Sequence, residues 1–344
     1  MSQSSIFNSV IQGVGHFVPE KIVTNQDLEK FMETSDEWIT ERTGIKQRRF
    51  AEDGIGSSDI AILAADLALK DAKIERDEVD MIIAATLSPD YFFPGIGVMI
   101  QKKMGLKTVP ALDIRAQCSG LVYAMSTAHA FIRSGQAKKI LLCCAEIQHP
   151  VLDLRTEGRD MAVLFGDGAG ALVVCAKDGS QAATAQNKER GVIDSILGSD
   201  GGGADVLTMK IPGSANPGFM NVDQTAKKEF QPRMDGRQVF KHAVTRMVET
   251  ATILLKRNGL KAEDVNMLFP HQANLRINEM VREHLGIPAD KVFNNIQKYG
   301  NTTAATIPIA MSEARAEGKL KEGDLILTLA FGAGFTWGAN LIRY

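Results

Sequence analysis

Residues 57–86, SSDIAILAADLALKDAKIERDEVDMIIAAT, combine an amphipathic helix, a charged turn and a buried strand. The same order of elements recurs in residues 239–271, VFKHAVTRMVETATILLKRNGLKAEDVNMLFPH. Val79 aligns with Val265 at an offset of 186 (265 − 79). Two similar segments at a fixed offset are typical of an internal repeat.

A second pair of segments follows in the same order. Residues 109–135, VPALDIRAQCSGLVYAMSTAHAFIRSG, resemble residues 291–318, KVFNNIQKYGNTTAATIPIAMSEARAEG, and Ile114 aligns with Ile296 at an offset of 182 (296 − 114). Each segment is interpreted as a short strand and a helix that lead to another buried strand. Since the strands are almost continuously apolar, we expect helices on both of their faces. The sequence therefore predicts an α/β fold with duplicated α/β/α layered halves and mostly parallel central sheets.

The predicted boundary between the halves lies at residues 178 and 179. Residues 160–176, DMAVLFGDGAGALVVCA, are interpreted as two strands joined by a glycine turn that closes the first half. Residues 177–236 are polar and rich in glycine and proline, which is typical of a connection with a long surface loop. We therefore expect an N-terminal half over 1–178 and a C-terminal half over 179–344.

The composition is that of an ordinary globular enzyme, with 44% hydrophobic and 23% charged residues. A net charge of −2 argues against a nucleic acid partner. Neither a signal peptide nor an apolar run of the ~20 residues that span a bilayer is found, so we expect no membrane association and a cytoplasmic location. The four cysteines have no CxxC spacing, which argues against a disulfide framework or a metal site.

Cys118 is the candidate nucleophile, because it lies where a predicted strand gives way to a helix. Free N–H groups at a helix start favour a thiolate and lower the pKa of a thiol. The alternative is a small buried apolar residue. Cys143, Cys144 and Cys175 are given that structural interpretation, because each lies inside a predicted buried strand.

Two polar residues of the second half are candidate partners of this cysteine. His271 ends an apolar strand, and the carboxyl ends of parallel strands are where ligands bind in α/β folds. A purely structural histidine is the alternative. Asn301 follows Gly300, which the repeat places opposite Cys118. In FGAGFTWG, residues 331–338, glycines would let the backbone approach a reacting centre closely.

Taken together, these segments resemble the β-ketoacyl-acyl-carrier-protein synthase III family, the initiating condensing enzymes of fatty acid synthesis. The resemblance runs almost end to end, over PEKIVTNQDLEKFMETSDEWITERTGIKQRR, AQCSGLVYA, FGDGAGA, MDGRQVFKHAV, PHQANLRI, YGNTTAATIPIA and AFGAGFTWGANLIR. It implies a thiolase-like fold and the condensation of an acyl-CoA primer with malonyl-acyl carrier protein to give 3-oxoacyl-carrier protein, CoA and CO2. No cofactor and no metal are implied, since acyl-CoA is a substrate.

The resemblance also implies roles for the three candidate residues. Cys118 matches the nucleophile that becomes an acyl thioester, and His271 and Asn301 match the pair that binds the malonyl thioester carbonyl during decarboxylation. The backbone N–H groups of Cys118 and Ala333 would stabilise a second oxyanion. A neutral His271 that donates from one ring nitrogen fits this role.

Further contacts are implied by the same resemblance. The residues that match CoA-binding positions are Trp38, Arg42, Arg159, Arg237, Phe240 and Ala273. Those that match or lie near the surface for the acidic carrier protein are Lys241, Gln272, Ala273, Asn274, Leu275, Arg276 and Arg282. Phe93 matches the residue that crosses a homodimer interface and limits the acyl pocket. Three departures from the family pattern leave the primer and acceptor open: Arg237 stands where some members carry asparagine, residues 204–233 form a longer segment than in the most compact members, and Arg115 and Gln117 precede the cysteine where small residues are common.

Four alternatives remain in view. A pathway-specific relative could use a longer primer or another acceptor and form alkylquinolones, ketones or esters. A degradative thiolase is disfavoured, because FGAGFTWG lacks a second cysteine. A hydroxymethylglutaryl-type synthase is disfavoured by the lack of a glutamate placed as its base. A non-catalytic module that binds CoA or carrier protein would form no acyl adduct on Cys118.

Overall fold

The structure, a computed structural model, describes residues 6–179, 181–215 and 230–344. Its strands are β1 Ile6–Phe17, β2 Ile22–Thr24, β3 Gln47–Arg49, β4 Met81–Ala85, β5 Ala111–Ile114, β6 Lys139–Glu146, β7 Gly168–Gly179, β8 Gly191–Ser199, β9 Leu207–Thr208, β10 Arg233–Met234, β11 Met267–Pro270, β12 Leu325–Gly332 and β13 Thr336–Arg343. Its α-helices are α1 Asn25–Leu28, α2 Asp36–Thr43, α3 Ser57–Ala72, α4 Ile96–Met104, α5 Gly120–Arg133, α6 Arg159–Ala162, α7 Gly236–Arg257, α8 Leu275–Leu285, α9 Ile296–Tyr299 and α10 Thr306–Ala316.

Two central sheets organise these elements. The first has the order β1-β7-β6-β4-β5, and only β7 runs against its neighbours. The second has the order β11-β12-β13-β8, and only β13 runs against its neighbours. All other strands of each sheet point the same way, so the prediction of mostly parallel central sheets is confirmed.

The central strands are buried on both faces, as their continuous apolar sequences predict. Alternate residues of β6 contribute to different cores, with Leu142 on one side of the sheet and Leu141 on the other. Helices α5 and α10 share a core with both sheets and therefore lie between them. Helices α3 and α4 cover the outer face of the first sheet, and α7 and α8 cover that of the second.

Three pairs of elements around the site repeat at one offset. The starts of β4 and β11 differ by 186 (267 − 81), as do those of β6 and β12 (325 − 139) and those of α5 and α10 (306 − 120). The offset of 182 expected from Ile114 and Ile296 is wrong, because Ile114 ends a strand whereas Ile296 begins a short helix. The structural counterpart of Cys118 is therefore Ala304, and not Gly300.

Two further expectations about local structure are wrong. Residues 160–176 do not form two strands, because Arg159–Ala162 is helix α6 and the strand begins only at Gly168. Residues 177–236 are not all connection, because Gly191–Ser199 pairs with β13 as the edge strand β8. This strand was not predicted because the glycines and serines around its short apolar segment are typical of loops. The boundary at 178 and 179 falls at the end of β7 and stays a prediction.

Neither a membrane span nor a metal centre is found in the part of the chain described above. No helix there is long and apolar enough to cross a bilayer. The same residues contain no group of three histidine, cysteine or acidic side chains placed to hold a metal ion. All four cysteines are free thiols, and Cys143, Cys144 and Cys175 lie in strands as predicted.

Candidate active site

A cavity of about 270 Å³ brings together the three candidate catalytic residues. Cys118, His271 and Asn301 all line it and are only 8%, 3% and 4% exposed. Trp38 and Arg42 line the same cavity, and Arg42 is exposed to solvent. The cavity therefore runs from the protein surface to a buried site where the two halves of the repeat meet.

Cys118 lies in a tight turn between β5 and α5. The turn Gln117–Ser119 is 3-10 helical, and Gln117 has a left-handed backbone with φ of 46°. Gly332 of β12 packs against the cysteine so closely that a Cβ on it would lie 3.0 Å from both the Cβ and the backbone nitrogen of Cys118. The expectation that the FGAG glycines let the backbone approach the reacting centre is therefore confirmed at Gly332.

The thiol of Cys118 is held in its protonated form. Burial raises its pKa to about 12, and the negative charge of Glu146 adds to this effect. The lowered pKa expected from the helix start is therefore wrong, because removal of the thiolate from water outweighs the favourable backbone N–H groups. A nucleophilic role for this sulfur would therefore require the thiol to lose its proton during the attack.

Glu146 is a fully buried carboxyl group that the sequence analysis did not identify. It accepts hydrogen bonds from the Ser88 hydroxyl at 2.7 Å and the Gln148 side-chain amide at 2.9 Å, and the Ala304 N–H lies 3.4 Å away. Burial raises its pKa above the ordinary value. In the sequence, Glu146 comes at the end of an apolar strand, where a charged residue is usually exposed to solvent. Only the fold shows that its carboxyl group connects the two halves.

His271 directly follows β11, and its backbone N–H donates to the carbonyl of Leu329 at 2.7 Å. Its ring Nδ1 lies 2.7 Å from the Thr306 hydroxyl oxygen, whereas Nε2 is buried without a partner among the described residues. Burial lowers the pKa of His271 to about 3. The imidazole is therefore neutral near pH 7, as its expected role requires.

Asn301 is oriented by the backbone on both sides. Gly300 precedes it with φ of 63° and ψ of −157°, a conformation that only glycine adopts easily. The Asn301 N–H donates to the Leu164 carbonyl at 2.8 Å, and its side-chain oxygen accepts the N–H of Thr303 at 2.8 Å. The amide oxygen is thus engaged, and the side-chain NH2 is the group that can donate to a ligand.

The aromatic and basic residues expected to bind CoA lie at the outer part of the cavity. The guanidinium carbons of Arg42 and Arg159 lie 4.3 and 4.4 Å from the centre of the Trp38 ring. Phe240 and Ala273 line the cavity, whereas Arg237 is exposed at the start of α7 and does not line it. Ala333 follows Gly332 and is half-buried.

Some residues expected to bind a carrier protein are exposed, whereas others are held by contacts within the chain. Lys241 and Arg276 are exposed, and the Arg276 guanidinium lies 5.8 Å from the Phe240 ring. Asn274 caps α8 and donates to the Arg42 carbonyl at 2.9 Å. Leu275 packs against Gly44.

Two residues of that set are not free to bind a partner. Gln272 is only 1% exposed, and its amide donates to the carbonyls of Pro270 and Phe293, so the expectation that it contacts a carrier protein is wrong. Arg282 is paired with Glu279 at 2.8 Å and with Glu283 at 3.2 Å. Its charge is therefore largely compensated within the helix.

Phe93 lies outside the cavity, on an exposed aromatic segment. Tyr91, Phe92 and Phe93 are 59%, 67% and 80% exposed. The segment leads into α4, which packs against β5, an edge strand of the first sheet. Within one chain, Phe93 contributes nothing to the described cavity.

Comparisons with known proteins identify the family of the chain. Residues 112–201 match the family model for 3-oxoacyl-[acyl-carrier-protein (ACP)] synthase III, and residues 255–344 match the model for its C-terminal part. The chain is 45% identical over 337 residues to the β-ketoacyl-[acyl-carrier-protein] synthase III of Oleidesulfovibrio alaskensis, covering 97% of this chain and 98% of that one. It is 43% identical over 338 residues to the enzyme of the same name from Nitratidesulfovibrio vulgaris, covering 98% and 99%.

A solved structure gives the same result for the fold. The 3-oxoacyl-[acyl-carrier-protein] synthase III of Aquifex aeolicus superimposes with a TM-score of 0.87 at 42% identity, covering 98% of this chain and 100% of that one. A duplicated fold of this kind around a buried cysteine is that of the thiolase-fold condensing enzymes, which are acyltransferases. Within that class, the chain belongs to the β-ketoacyl-acyl-carrier-protein synthase III family.

Proposed function

We propose that this chain condenses an acyl-CoA primer with malonyl-acyl carrier protein and so begins fatty acid synthesis. The products are 3-oxoacyl-carrier protein, CoA and CO2. The observation that carries the proposal is one cavity in which a buried thiol shares the space with the neutral side chains of His271 and Asn301, both of which can donate an N–H. The composition of that cavity suits a reaction that passes through a covalent thioester and then an enolate.

In the first step, the Cys118 sulfur attacks the thioester carbonyl of acyl-CoA. The new C–S bond forms, the bond to the CoA sulfur breaks, and the departing CoA thiolate takes the proton that Cys118 releases. Negative charge on the tetrahedral oxygen would be stabilised by the backbone N–H groups of Cys118 and Ala333. The close packing of Gly332, the residue before Ala333, on Cys118 supports this assignment.

In the second step, the malonyl group loses CO2 and leaves its bonding electrons on the neighbouring thioester. Charge collects on the thioester oxygen, where His271 Nε2–H and the Asn301 side-chain NH2 would donate hydrogen bonds. Donors of this type contribute about 3 kcal/mol each in comparable oxyanion sites. The enolate carbon then attacks the acyl-Cys118 carbonyl, the C–C bond forms, and the C–S bond to the enzyme breaks. The returning thiolate takes up a proton.

The outer part of the cavity suits the nucleotide portion of CoA. The flat Trp38 ring would stack on the adenine base, and Arg42 and Arg159 would bind phosphates. Both guanidinium groups rest on the Trp38 ring in this structure, so the base would displace at least one of them. Arg237, at the exposed start of α7, would add positive charge beside the entrance.

The carrier protein would deliver its malonyl group through the same entrance. Exposed Lys241 and Arg276 would attract its acidic surface, with Asn274 and Leu275 beneath them. Glu279 and Glu283 compensate Arg282, so attraction would be concentrated at the start of α8.

The location follows from the cysteines. All four are free thiols, as is usual in a reducing compartment, and we therefore propose a cytoplasmic location.

We also propose that the enzyme is a homodimer, with β5 and the Tyr91–Phe93 segment at the interface. An unpaired edge strand and three exposed aromatic residues are features that a partner subunit would cover. Phe93 would then reach the acyl pocket of the partner subunit and limit the length of the primer. No other large hydrophobic residue that the structure describes is as exposed as Phe93.

Replacement of Phe93 with aspartate should weaken the dimer. Full burial of a phenylalanine contributes about 1.5–3 kcal/mol, and two copies change per dimer, so the dissociation constant should rise roughly a hundredfold or more. Analytical ultracentrifugation across a dilution series measures it. Phe31→Asp is the matched control, because Phe31 is also exposed, at 60%, but lies far from β5 in the sequence. An unchanged dissociation constant for the Phe93 variant would exclude this interface.

The proposed function is tested directly with the purified wild-type chain. Incubation with acyl-CoA primers of about two to ten carbons should add one acyl group to Cys118, which intact and peptide mass spectrometry detect. Addition of malonyl-carrier protein should then release 3-oxoacyl-carrier protein and remove the adduct. A chain that binds acyl-CoA without forming an adduct would be a binding module, and the proposal would fail. The preferred chain length identifies the primer.

A further inference from the structure

The two ring nitrogens of His271 have different surroundings. Nδ1 lies 2.7 Å from the hydroxyl oxygen of Thr306, the first residue of α10. Nε2 is buried and has no hydrogen-bond partner among the described residues. His271 lines the cavity, so the nitrogen without a partner is the one available to a bound substrate. Whether that nitrogen donates or accepts depends on which tautomer Thr306 favours.

The hydroxyl of Thr306 has one proton and two possible acceptors. The carbonyl of Thr303 lies 3.1 Å from the hydroxyl oxygen, and His271 Nδ1 lies 2.7 Å from it. That carbonyl already accepts the backbone N–H of Thr306. Donation to Nδ1 therefore leaves no buried backbone group unsatisfied, whereas an Nδ1–H that donated to the hydroxyl oxygen would leave Nε2 without a proton and unable to donate to a substrate oxygen. With Nδ1 as an acceptor, the proton of the neutral ring resides on Nε2.

We propose that Thr306 is a positioning residue that donates its hydroxyl proton to His271 Nδ1 and so fixes the tautomer with Nε2–H directed to the substrate. This inference rests on the proposed function, because only decarboxylation of a malonyl thioester requires Nε2 as a donor. Thr306 itself does not line the cavity. It acts through the histidine.

The same short segment orients the second donor. The N–H of Thr303 holds the side-chain oxygen of Asn301 at 2.8 Å, and Thr303 has a left-handed φ of 45°. Further along the same turn, Thr306 contacts His271. One turn at the start of α10 therefore directs an N–H group from each of two side chains into the cavity. A left-handed backbone at a residue with a side chain is strained, and such strain is concentrated at functional sites.

The test compares Thr306→Val with Thr306→Ser and with Thr127→Val. Valine has nearly the same shape as threonine but cannot donate, whereas serine keeps the hydroxyl. Loss of the hydrogen bond to a buried group should lower the rate of malonyl-carrier protein decarboxylation roughly tenfold to a hundredfold, with little change in KM. Acylation of Cys118 should be unchanged. Thr306→Ser should stay within roughly threefold of wild type.

Thr127→Val controls for the loss of a threonine hydroxyl from a helix. The Thr127 hydroxyl donates to the Tyr123 carbonyl at 2.8 Å inside α5 and does not line the cavity. Both half-reactions of this variant should match wild type. A Thr306→Val enzyme that loses acylation and decarboxylation equally would indicate a purely structural role, and one with normal decarboxylation would also overturn the proposal.

The tautomer is measured independently of turnover. Long-range ¹H–¹⁵N spectra of wild-type protein labelled in its histidine rings should assign the proton of His271 to Nε2, with His271→Asn identifying the signal. A proton on Nδ1 would overturn the proposal even if Thr306→Val does not fold. Wild-type enzyme that forms no 3-oxoacyl product would contradict the proposed function instead, whereas the spectrum would still decide the role of Thr306.

Discussion

Replacement of Cys118 with serine should remove acyl transfer from acyl-CoA and lower the overall condensation rate roughly a thousandfold or more. Burial already raises the pKa of the thiol to about 12. A hydroxyl in the same place ionises far less readily and is the weaker nucleophile, and His271, whose pKa burial lowers to about 3, is too weak a base to activate it. Intact mass spectrometry after incubation with acyl-CoA measures the adduct directly.

Cys175→Ser provides the matched control for this variant. Cys175 is a half-buried free thiol in β7 and does not line the cavity. Its variant should acquire one acyl group at the wild-type rate. An adduct of normal yield on the Cys118→Ser enzyme, or an adduct on Cys175 in the wild-type enzyme, would show that the nucleophile has been misassigned.

That Cys118 and His271 would line one site could be predicted from the sequence, because each follows a distinctive local pattern. Cys118 begins a helix after a strand, and His271 ends an apolar strand of the repeated unit. The fold brings their segments together, since α5 and α10 lie between the two sheets. The continuous apolar runs of the central strands, and the recurrence of the pattern, predict that layered arrangement.

The residues that orient the site could not be predicted in this way. Thr306 and Glu146 act through contacts with distant segments, and nothing in the residues beside them marks those contacts. Gln272 illustrates the opposite error. It lies in PHQANLRI between His271 and helix α8, yet its side chain turns inward and forms hydrogen bonds with the backbone of Phe293 and Asn295.

The pKa of Cys118 shows why the ionisation of a thiol cannot be predicted from the residues beside it in the sequence. A helix start stabilises a thiolate by about 0.3–2 kcal/mol. Full burial of a thiolate costs more than this, and the nearby Glu146 carboxyl adds a like charge. The sequence identifies the helix start, but the depth of burial depends on Gly332 and on residues from the other half.

Replacement of His271 with alanine should separate the two half-reactions. Acylation of Cys118 should proceed, because the thiol proton can leave with CoA and the oxyanion donors of that step are backbone groups. Decarboxylation of malonyl-carrier protein should fall roughly a hundredfold to a thousandfold, since one of its two donors is lost. Radiolabelled CO2 release measures this step, and mass spectrometry measures the other.

The pH dependence of the same step gives a second measurement. Burial lowers the pKa of His271 to about 3, so the ring remains neutral as pH falls from 8 to 5. Decarboxylation by wild-type enzyme should therefore have no acid limb near the ordinary histidine pKa of about 6.5. A limb at that pH that disappears in the His271→Ala enzyme would show that the ring titrates in solution, contrary to the structure.

His129→Ala separates the loss of a donor from the loss of a buried ring. Burial also lowers the pKa of His129, to about 4, and its Nδ1 lies 2.9 Å from the Ser9 hydroxyl oxygen, outside the cavity. This variant removes a half-buried imidazole whose pKa is also lowered, so it should lose thermal stability while both half-reactions keep their wild-type rates. If His271→Ala instead lost acylation and decarboxylation in equal measure, His271 would be needed to form the acyl-enzyme, and the division of labour between the thiol and the two donors would have to be abandoned.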